Sequence, residues 1–193
     1  VLVVAHRGAA GKAPENTLAS VRQAVADRAD WIEIDVQESA DGEVVVVHDS
    51  DFMKLAGEPL KVWDGTLEQI RRIDVGSWLD PRYAGERVPT LREVLDTVRG
   101  RAKLVIELKY YGHDQQLEQR VVEIVEAADM AEDVAIMSLK HAGVRKVRAL
   151  RPDWHTGLLA AKAVGDLSRL DVDFLAVNKG MATPHFVRHA EAA

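Results

Sequence analysis

Two carboxylates and an imidazole stand out because they accompany apolar segments with strand-like spacing. Glu33 and Asp35 alternate with apolar residues in the stretch Trp31–Val36, and side chains two residues apart on a strand lie on the same face. Two carboxylates on one face offer the oxygen ligands that hard cations prefer. His48 follows a run of four valines that ends at Val47. The pattern therefore predicts a cation site beside an acid–base residue.

Two other segments repeat these features. His6 follows the apolar run Val1–Ala5, and Glu107 stands two residues before Lys109 at the end of the apolar run LVIEL. Catalytic groups in α/β proteins gather at the carboxyl ends of parallel strands. We therefore expect these side chains to share one rim of a sheet.

Each pattern also has an ordinary structural interpretation. A strand with one apolar and one charged face is typical of a half-solvated edge strand. A His-Asp pair after a strand, such as His48-Asp49, is typical of a turn. Local spacing alone leaves both interpretations open.

The composition is that of a globular domain. The chain has 193 residues, of which 47% are hydrophobic and 5% aromatic, and this length predicts one domain over 1–193. A net charge of −6 argues against a nucleic-acid partner. The absence of cysteine excludes disulfides, thiol nucleophiles and cysteine-bound zinc.

The compartment and the oligomeric state stay open. No apolar run reaches the roughly 20 residues that a membrane helix needs, so we expect no membrane segment in these residues. The cytoplasm is the default expectation, and a membrane-attached context is also compatible with the sequence.

Apolar runs and helical periodicities alternate along the chain, which predicts a parallel sheet of the (β/α)8 TIM-barrel type. Strands are expected near Val1, Trp31, Val44, Leu104, Val134, His155 and Val172. Helices are expected at about Asn16–Asp27, Leu67–Ile73, Thr90–Val98, Asp114–Ala128, Ala142–Leu150, Val164–Leu170 and from Thr183 onward. Because only seven strands can be counted, the eighth βα unit of such a barrel is missing from this sequence.

Two connections depart from the simple alternation. The eight residues between Asp35 and Val44 are too few for a crossover helix, so we expect an extended return that turns at Asp41-Gly42 before a third parallel strand. Residues 49–89 form a long connection, which predicts an insertion on the rim of the barrel that could form a substrate wall.

Eight short motifs, taken in order and with their spacing, resemble the glycerophosphodiester phosphodiesterase family along almost the whole chain. They are His6-Arg7-Gly8, Pro14-Glu15-Asn16-Thr17, Glu33-x-Asp35, Asp41-Gly42, His48-Asp49, Gly76-Ser77-Trp78, Val88-Pro89-Thr90-Leu91 and Glu107-x-Lys109. The resemblance implies a (β/α)8 barrel that hydrolyses a small-molecule glycerophosphodiester to glycerol 3-phosphate and an alcohol. It also implies one divalent cation, Ca²⁺ or Mg²⁺, as cofactor.

The resemblance further implies a role for each matching residue. The metal ligands would be Glu33, Asp35 and Glu107, the acid–base pair His6 (base) and His48 (acid), and the phosphate contacts Arg7 and Lys109. Glu15 and Asn16 are expected to hold the first loop and start its helix. The glycerol 2-hydroxyl of the substrate would attack phosphorus and give a cyclic phosphate.

Several alternatives remain at this point. Arg7 and Lys109 could form ion pairs with the carboxylates instead of contacting substrate. The enzyme could resemble a sphingomyelinase D or a lysophospholipase D. The chain could also be a truncated, non-catalytic barrel that serves as a binding module.

Overall fold

The computed structural model of the chain describes residues 2–161 and 166–191. Its strands are β1 Val4–Ala5, β2 Trp31–Glu38, β3 Val44–Val46, β4 Asp51–Phe52, β5 Glu58–Lys61, β6 Lys103–Leu108, β7 Val134–Ser138, β8 His155–Ala160 and β9 Phe174–Val177. Its α-helices are α1 Leu18–Ala26, α2 Met53–Ala56, α3 Leu67–Ile70, α4 Leu91–Val98, α5 Leu117–Ala127, α6 His141–Leu150 and α7 Pro184–Glu191.

A curled sheet forms the centre of the fold. Six parallel strands follow one another in the order β1-β2-β6-β7-β8-β9, and β3 joins them as a seventh strand. Within the described residues, β1 and β9 end the sheet and do not pair with each other. The sheet therefore confirms the expected α/β architecture, a (β/α)8 barrel that is incomplete in this chain.

The direction of β3 differs from the expectation of a third parallel strand. β3 pairs antiparallel with the end of β2, with Val46 opposite Val36 and Val44 opposite Glu38. The predicted turn at Asp41-Gly42 is confirmed, but β3 is itself the return. A run of valines suits a buried strand of either direction, and β2 is long enough to pair with its own continuation.

The main core lies between the sheet and the helices. Alternate residues of β2, namely Ile32, Ile34 and Val36, pack in it together with apolar residues of α1, α4, α5 and β6. Since the period of a strand is two, Glu33, Asp35 and Gln37 must face the inside of the curl. The helices thus fix which face of β2 carries the polar side chains.

The rim segment, residues 49–89, has a smaller core of its own. β4 and β5 form an antiparallel hairpin around α2, and the predicted helix from Leu67 is found as the shorter α3. Val45 and Val47 pack against apolar residues of the segment, namely Phe52, Leu55, Val62, Ile70, Val75 and Val88. The rim segment is therefore anchored on the chain that leads to His48.

Some expectations fall partly outside the described residues. Val1, at the start of the first predicted strand, and Val164, at the start of a predicted short helix, both lie there. The described part of that helix forms a 3-10 turn at Leu167–Arg169. Within 2–161 and 166–191, the helices are all too short or too polar to cross a membrane.

Gly8 is required by the close approach of the first loop to α1. Its φ is +74°, and a Cβ there would lie 2.7 Å from the carbonyl carbon of Ser20. We expect Gly8→Ala to cost more than the roughly 1–2 kcal/mol of a left-handed alanine, measured by urea unfolding. Gly85→Ala is the matched control, since Gly85 has φ +89° and no described atom within 4 Å of its added Cβ. Equal unfolding midpoints for both variants would contradict this prediction.

Candidate functional site

Three carboxylates meet on the inner face of β2 and β6. In the parallel register Asp35 lies beside Glu107, and each of Glu33, Asp35 and Glu107 offers one oxygen within 4.8 Å of the others. The three residues are 3%, 1% and 4% exposed. The half-solvated edge is therefore excluded for this strand, and the predicted co-facial arrangement is confirmed.

The crowding of negative charge changes the protonation of the cluster. Burial, followed by the charge of Asp35, raises the pKa of Glu33 to about 8. Burial also raises the pKa of Glu107, although hydrogen bonding and attraction from Lys109 oppose this change. Burial alone would lower the pKa of Lys109, but the charges of Asp35 and Glu107 raise it overall. The metal-free cluster thus retains a proton near neutral pH.

Two cations pair with these carboxylates. Lys109 Nζ lies 3.1 Å from Asp35 Oδ1 and 2.7 Å from Glu107 Oε1. Arg7 Nε lies 3.4 Å from Asp35 Oδ2. The ion-pair alternative for Arg7 and Lys109 therefore describes their contacts in the structure, and their contact with substrate stays a prediction.

The loop between β1 and α1 holds two of the carboxylates. The backbone N–H of Arg7 donates to Glu33 Oε2 at 2.8 Å. The side-chain amide of Asn16 donates to Asp35 Oδ2 at 2.8 Å and accepts from the Asp35 backbone N–H at 3.2 Å. The sequence predicted only a loop role for Asn16, and its contact with Asp35 was missed.

The carboxylate oxygens that the loop does not hold indicate whether a cation fits the cluster. Within residues 2–161 and 166–191, Glu33 Oε1 is buried and has no hydrogen-bond partner, and Asp35 Oδ1 is buried with Lys109 Nζ as its ion-pair partner. A buried oxygen without a partner is costly, and a divalent cation would satisfy Glu33 Oε1. An all-oxygen set of carboxylates suits a hard cation better than zinc. Glu33, Asp35 and Glu107 can therefore hold a divalent ion.

The two histidines approach the cluster from different strands. His6 follows β1, its side chain is 70% exposed, and its Nε2 lies 3.8 Å from Glu33 Oε2. Partial burial and the charge of Arg7 lower the pKa of His6, which favours the neutral ring that can accept a proton. The charge of His48 is a smaller cause of the same lowering of the His6 pKa.

The antiparallel strand β3 explains how His48 reaches this rim. The backbone N–H of Val47 donates to the Asp35 carbonyl at 3.0 Å, so the chain returns to the level of the carboxylates. His48 Nδ1 lies 2.6 Å from Asp49 Oδ1. His48 was expected at the end of a parallel strand, but β3 brings it back along β2 instead.

Gln37, which was not predicted from the sequence, and Tyr111 hold the backbone around His48. Gln37 Nε2 donates to the carbonyls of Val47 and Asp49 at 2.9 and 2.8 Å. The Tyr111 hydroxyl donates to the His48 carbonyl at 2.8 Å. The polar inner position of Gln37, two residues after Asp35, was the available signal for Gln37.

Glu15 connects the carboxylate cluster to the rim segment. Its carboxylate accepts from Arg7 Nη1 at 2.9 Å and from Lys54 Nζ at 2.8 Å. Lys54 and Trp78 also line a cavity of about 910 Å³ within the rim segment. Glu15, which was expected only to hold the first loop, therefore adds a link between the site and the rim segment to the one that Asp49 makes with His48.

The chain is similar to known proteins over almost its whole length. A family model described as the glycerophosphoryl diester phosphodiesterase family matches residues 6–190. YhdW of Bacillus subtilis is 38% identical over 169 residues, which cover 86% of this chain and 69% of the relative. A glycerophosphodiester phosphodiesterase of Caldanaerobacter subterraneus is 37% identical over 164 residues, which cover 82% of this chain and 66% of the relative. The chain thus spans about two thirds of the length of these relatives.

Solved structures give the same result. A glycerophosphodiester phosphodiesterase from Agrobacterium tumefaciens is 30% identical with a TM-score of 0.85, covering 100% of this chain and 83% of that chain. A phosphodiesterase from Oleispira antarctica, solved with its product sn-glycerol-3-phosphate, is 28% identical with a TM-score of 0.92, covering 100% of this chain and 81% of that chain. The chain belongs to the glycerophosphoryl diester phosphodiesterase family.

Proposed function

We propose that this chain hydrolyses glycerophosphodiesters to glycerol 3-phosphate and an alcohol, with Ca²⁺ or Mg²⁺ as cofactor. The observation that carries the proposal is the buried cluster of three carboxylates, with His6 beside it and with His48 next to Val47, whose backbone is bonded to that of Asp35. Family membership over residues 6–190 supports it, as does the sn-glycerol-3-phosphate product bound to the Oleispira antarctica relative.

The cation would be held by Glu33, Asp35 and Glu107. When bound, such an ion supplies positive charge beside the phosphate and glycerol oxygens. The ion would also offset the burial of Glu33 and the charge of Asp35, which together raise the pKa of Glu33 to about 8. Metal binding should therefore release a proton and weaken as the pH falls.

The two histidines supply the proton transfers. His6, whose lowered pKa favours the neutral ring, takes the proton from the attacking hydroxyl. His48 gives a proton to the oxygen of the leaving alcohol. Because Nδ1 of His48 is bound to Asp49, Nε2 is the ring nitrogen that exchanges this proton. Each transfer is worth about 10²–10⁴-fold in rate.

Arg7 and Lys109 bind the phosphate. Their guanidinium and ammonium groups lie beside the carboxylates and stabilise the negative charge that grows on the phosphate oxygens. The attacking group is the glycerol 2-hydroxyl of the substrate, which gives a cyclic phosphate that water opens. Intramolecular attack is favoured because effective molarities reach about 10⁵–10⁸ M.

The test is a product assay on the purified chain. With glycerophosphocholine and Ca²⁺ or Mg²⁺, we expect glycerol 3-phosphate and choline in equal amounts, and chelation with EDTA should abolish their release. The 2-deoxy analogue of the substrate should not turn over, because it lacks the attacking hydroxyl.

Each outcome tests a different part of the proposal. Release of phosphocholine and glycerol would contradict the proposed bond cleavage. Turnover of the 2-deoxy analogue would contradict the cyclic intermediate alone and indicate direct attack by water. Undiminished turnover in EDTA would contradict the role of the cation.

A further inference from the structure

Asn16 and Asp35 share two hydrogen bonds. Its side-chain N–H donates to the carboxylate at Oδ2 (2.8 Å), and its side-chain carbonyl accepts from the Asp35 backbone N–H (3.2 Å). Both residues are buried, with 4% and 1% of their surface exposed. A paired contact of this kind fixes the rotation of the carboxylate as well as its position.

The backbone of Asn16 is held in a conformation that few residues adopt. Its φ is +55°, in the left-handed region where asparagine is favoured over most other non-glycine residues. Its backbone N–H donates to the Arg7 carbonyl at 3.0 Å. An isolated left-handed residue is an observation from which a functional role can be inferred.

The two hydrogen bonds with Asn16 leave Asp35 Oδ1 to other partners. Asp35 Oδ2 is held by Asn16, whereas Oδ1 is a buried atom that has no hydrogen-bond partner among the described residues and lies 3.1 Å from Lys109 Nζ. The amide of Asn16 donates to Asp35 Oδ2 without adding charge. Aspartate at position 16 would keep the shape and add repulsion.

We propose that Asn16 is a positioning residue that orients Asp35 for the divalent cation and so sets the metal affinity of the site. This inference rests on the proposed function, because it assumes that the carboxylate cluster binds a cation. Asn16 acts through Asp35 and touches neither the substrate phosphate nor the reacting oxygens.

Calorimetric titration with Ca²⁺ and Mg²⁺, without substrate, tests the inference. Asn16→Gly accepts the left-handed backbone but lacks the amide, and we expect its affinity to fall by about 10–100-fold. Asn16→Asp should lose at least as much. Arg28→Gly is the matched control, because Arg28 is an exposed residue with φ +58° outside the site, and its affinity should equal that of the wild type.

A second measurement separates positioning from a direct role. In Asn16→Gly, the metal concentration for half-maximal turnover should rise with the dissociation constant, and saturating metal should recover turnover. Thermal unfolding without metal checks that the variants fold. If Asn16→Gly does not fold, the same metal titration and turnover measurements are made on Asn16→Asp.

The outcomes distinguish this inference from the proposed function. Wild-type affinity in the folded Asn16 variants, or turnover that stays low at saturating metal, would overturn the inference and leave the proposed function in place. Failure of the wild-type chain to bind either ion would overturn the proposed metal site, and the inference with it.

Discussion

His48→Ala is expected to lower kcat for glycerophosphodiester hydrolysis by about 10²–10⁴-fold. In the proposed mechanism the variant loses the group that gives a proton to the leaving alcohol, whereas Gln37 and Tyr111 still hold the surrounding backbone carbonyls. The ring is only partly buried, so its removal should leave the folded state intact. Initial rates of choline release from glycerophosphocholine at saturating cation measure the effect.

A leaving group that needs no proton provides a sharper test. For a p-nitrophenyl ester, whose leaving group departs as an anion at neutral pH, His48→Ala should lose much less activity than for choline. His185→Ala, at an exposed position on α7, is the control and should keep wild-type rates. Equal losses with both leaving groups would contradict the assignment of His48 as the acid.

Glu33→Gln is expected to stabilise the metal-free protein and to weaken its binding of Ca²⁺ or Mg²⁺ by more than about tenfold. The pKa of Glu33 is about 8 in the folded chain against 4.5 ordinarily. The folded chain therefore holds this proton more tightly than the unfolded chain. The resulting stabilisation is fully present below pH 4.5 and is lost as the pH rises through 8.

The pH dependence of unfolding measures this effect. Without metal, the free energy of unfolding of the wild type should fall by a few kcal/mol between about pH 4.5 and pH 9. Glu33→Gln should lack most of that fall and should be the more stable protein at pH 8. The smaller remaining slope belongs to Glu107, whose pKa is also raised.

A surface glutamate supplies the control for this comparison. Glu123→Gln, at an exposed position on α5, should reproduce the wild-type pH dependence and metal affinity. If the metal-free Glu33→Gln protein is less stable than the wild type at pH 8, the raised pKa of Glu33 in the folded chain is contradicted.

Much of the architecture follows from local sequence patterns. The alternation of Glu33 and Asp35 with Ile32, Ile34 and Val36 correctly placed both carboxylates on one face, because the period of a strand is fixed by its backbone. Glu107 joins them because β6 lies next to β2, and here the family resemblance supplied the partner. The helix predicted from Thr90 is found as α4, and the Thr90 side chain caps its start.

The features that the sequence did not predict depend on contacts between residues that are distant in the sequence. The direction of β3 is set by pairing with β2 and by packing against the rim segment, which a run of valines does not encode. The contact of Asn16 with Asp35 joins residues 19 positions apart, and an asparagine suits a loop that leads into a helix equally well. The hairpin of β4 and β5 was hidden within a long connection that carried no clear period.

Because β3 pairs antiparallel with β2, His48 joins the candidate site soon after β2 in the sequence, and the residues of the site come from one stretch of the chain. His6, Arg7, Glu33, Asp35, His48, Glu107 and Lys109 all lie between positions 6 and 109. They project from β1, β2, β3 and β6 or from the residues that follow them, while β7, β8 and β9 extend the sheet away from β2. Exchange of the later βα units between relatives would therefore conserve the reacting groups and alter only their surroundings, so this half of the barrel is a natural unit for recombination.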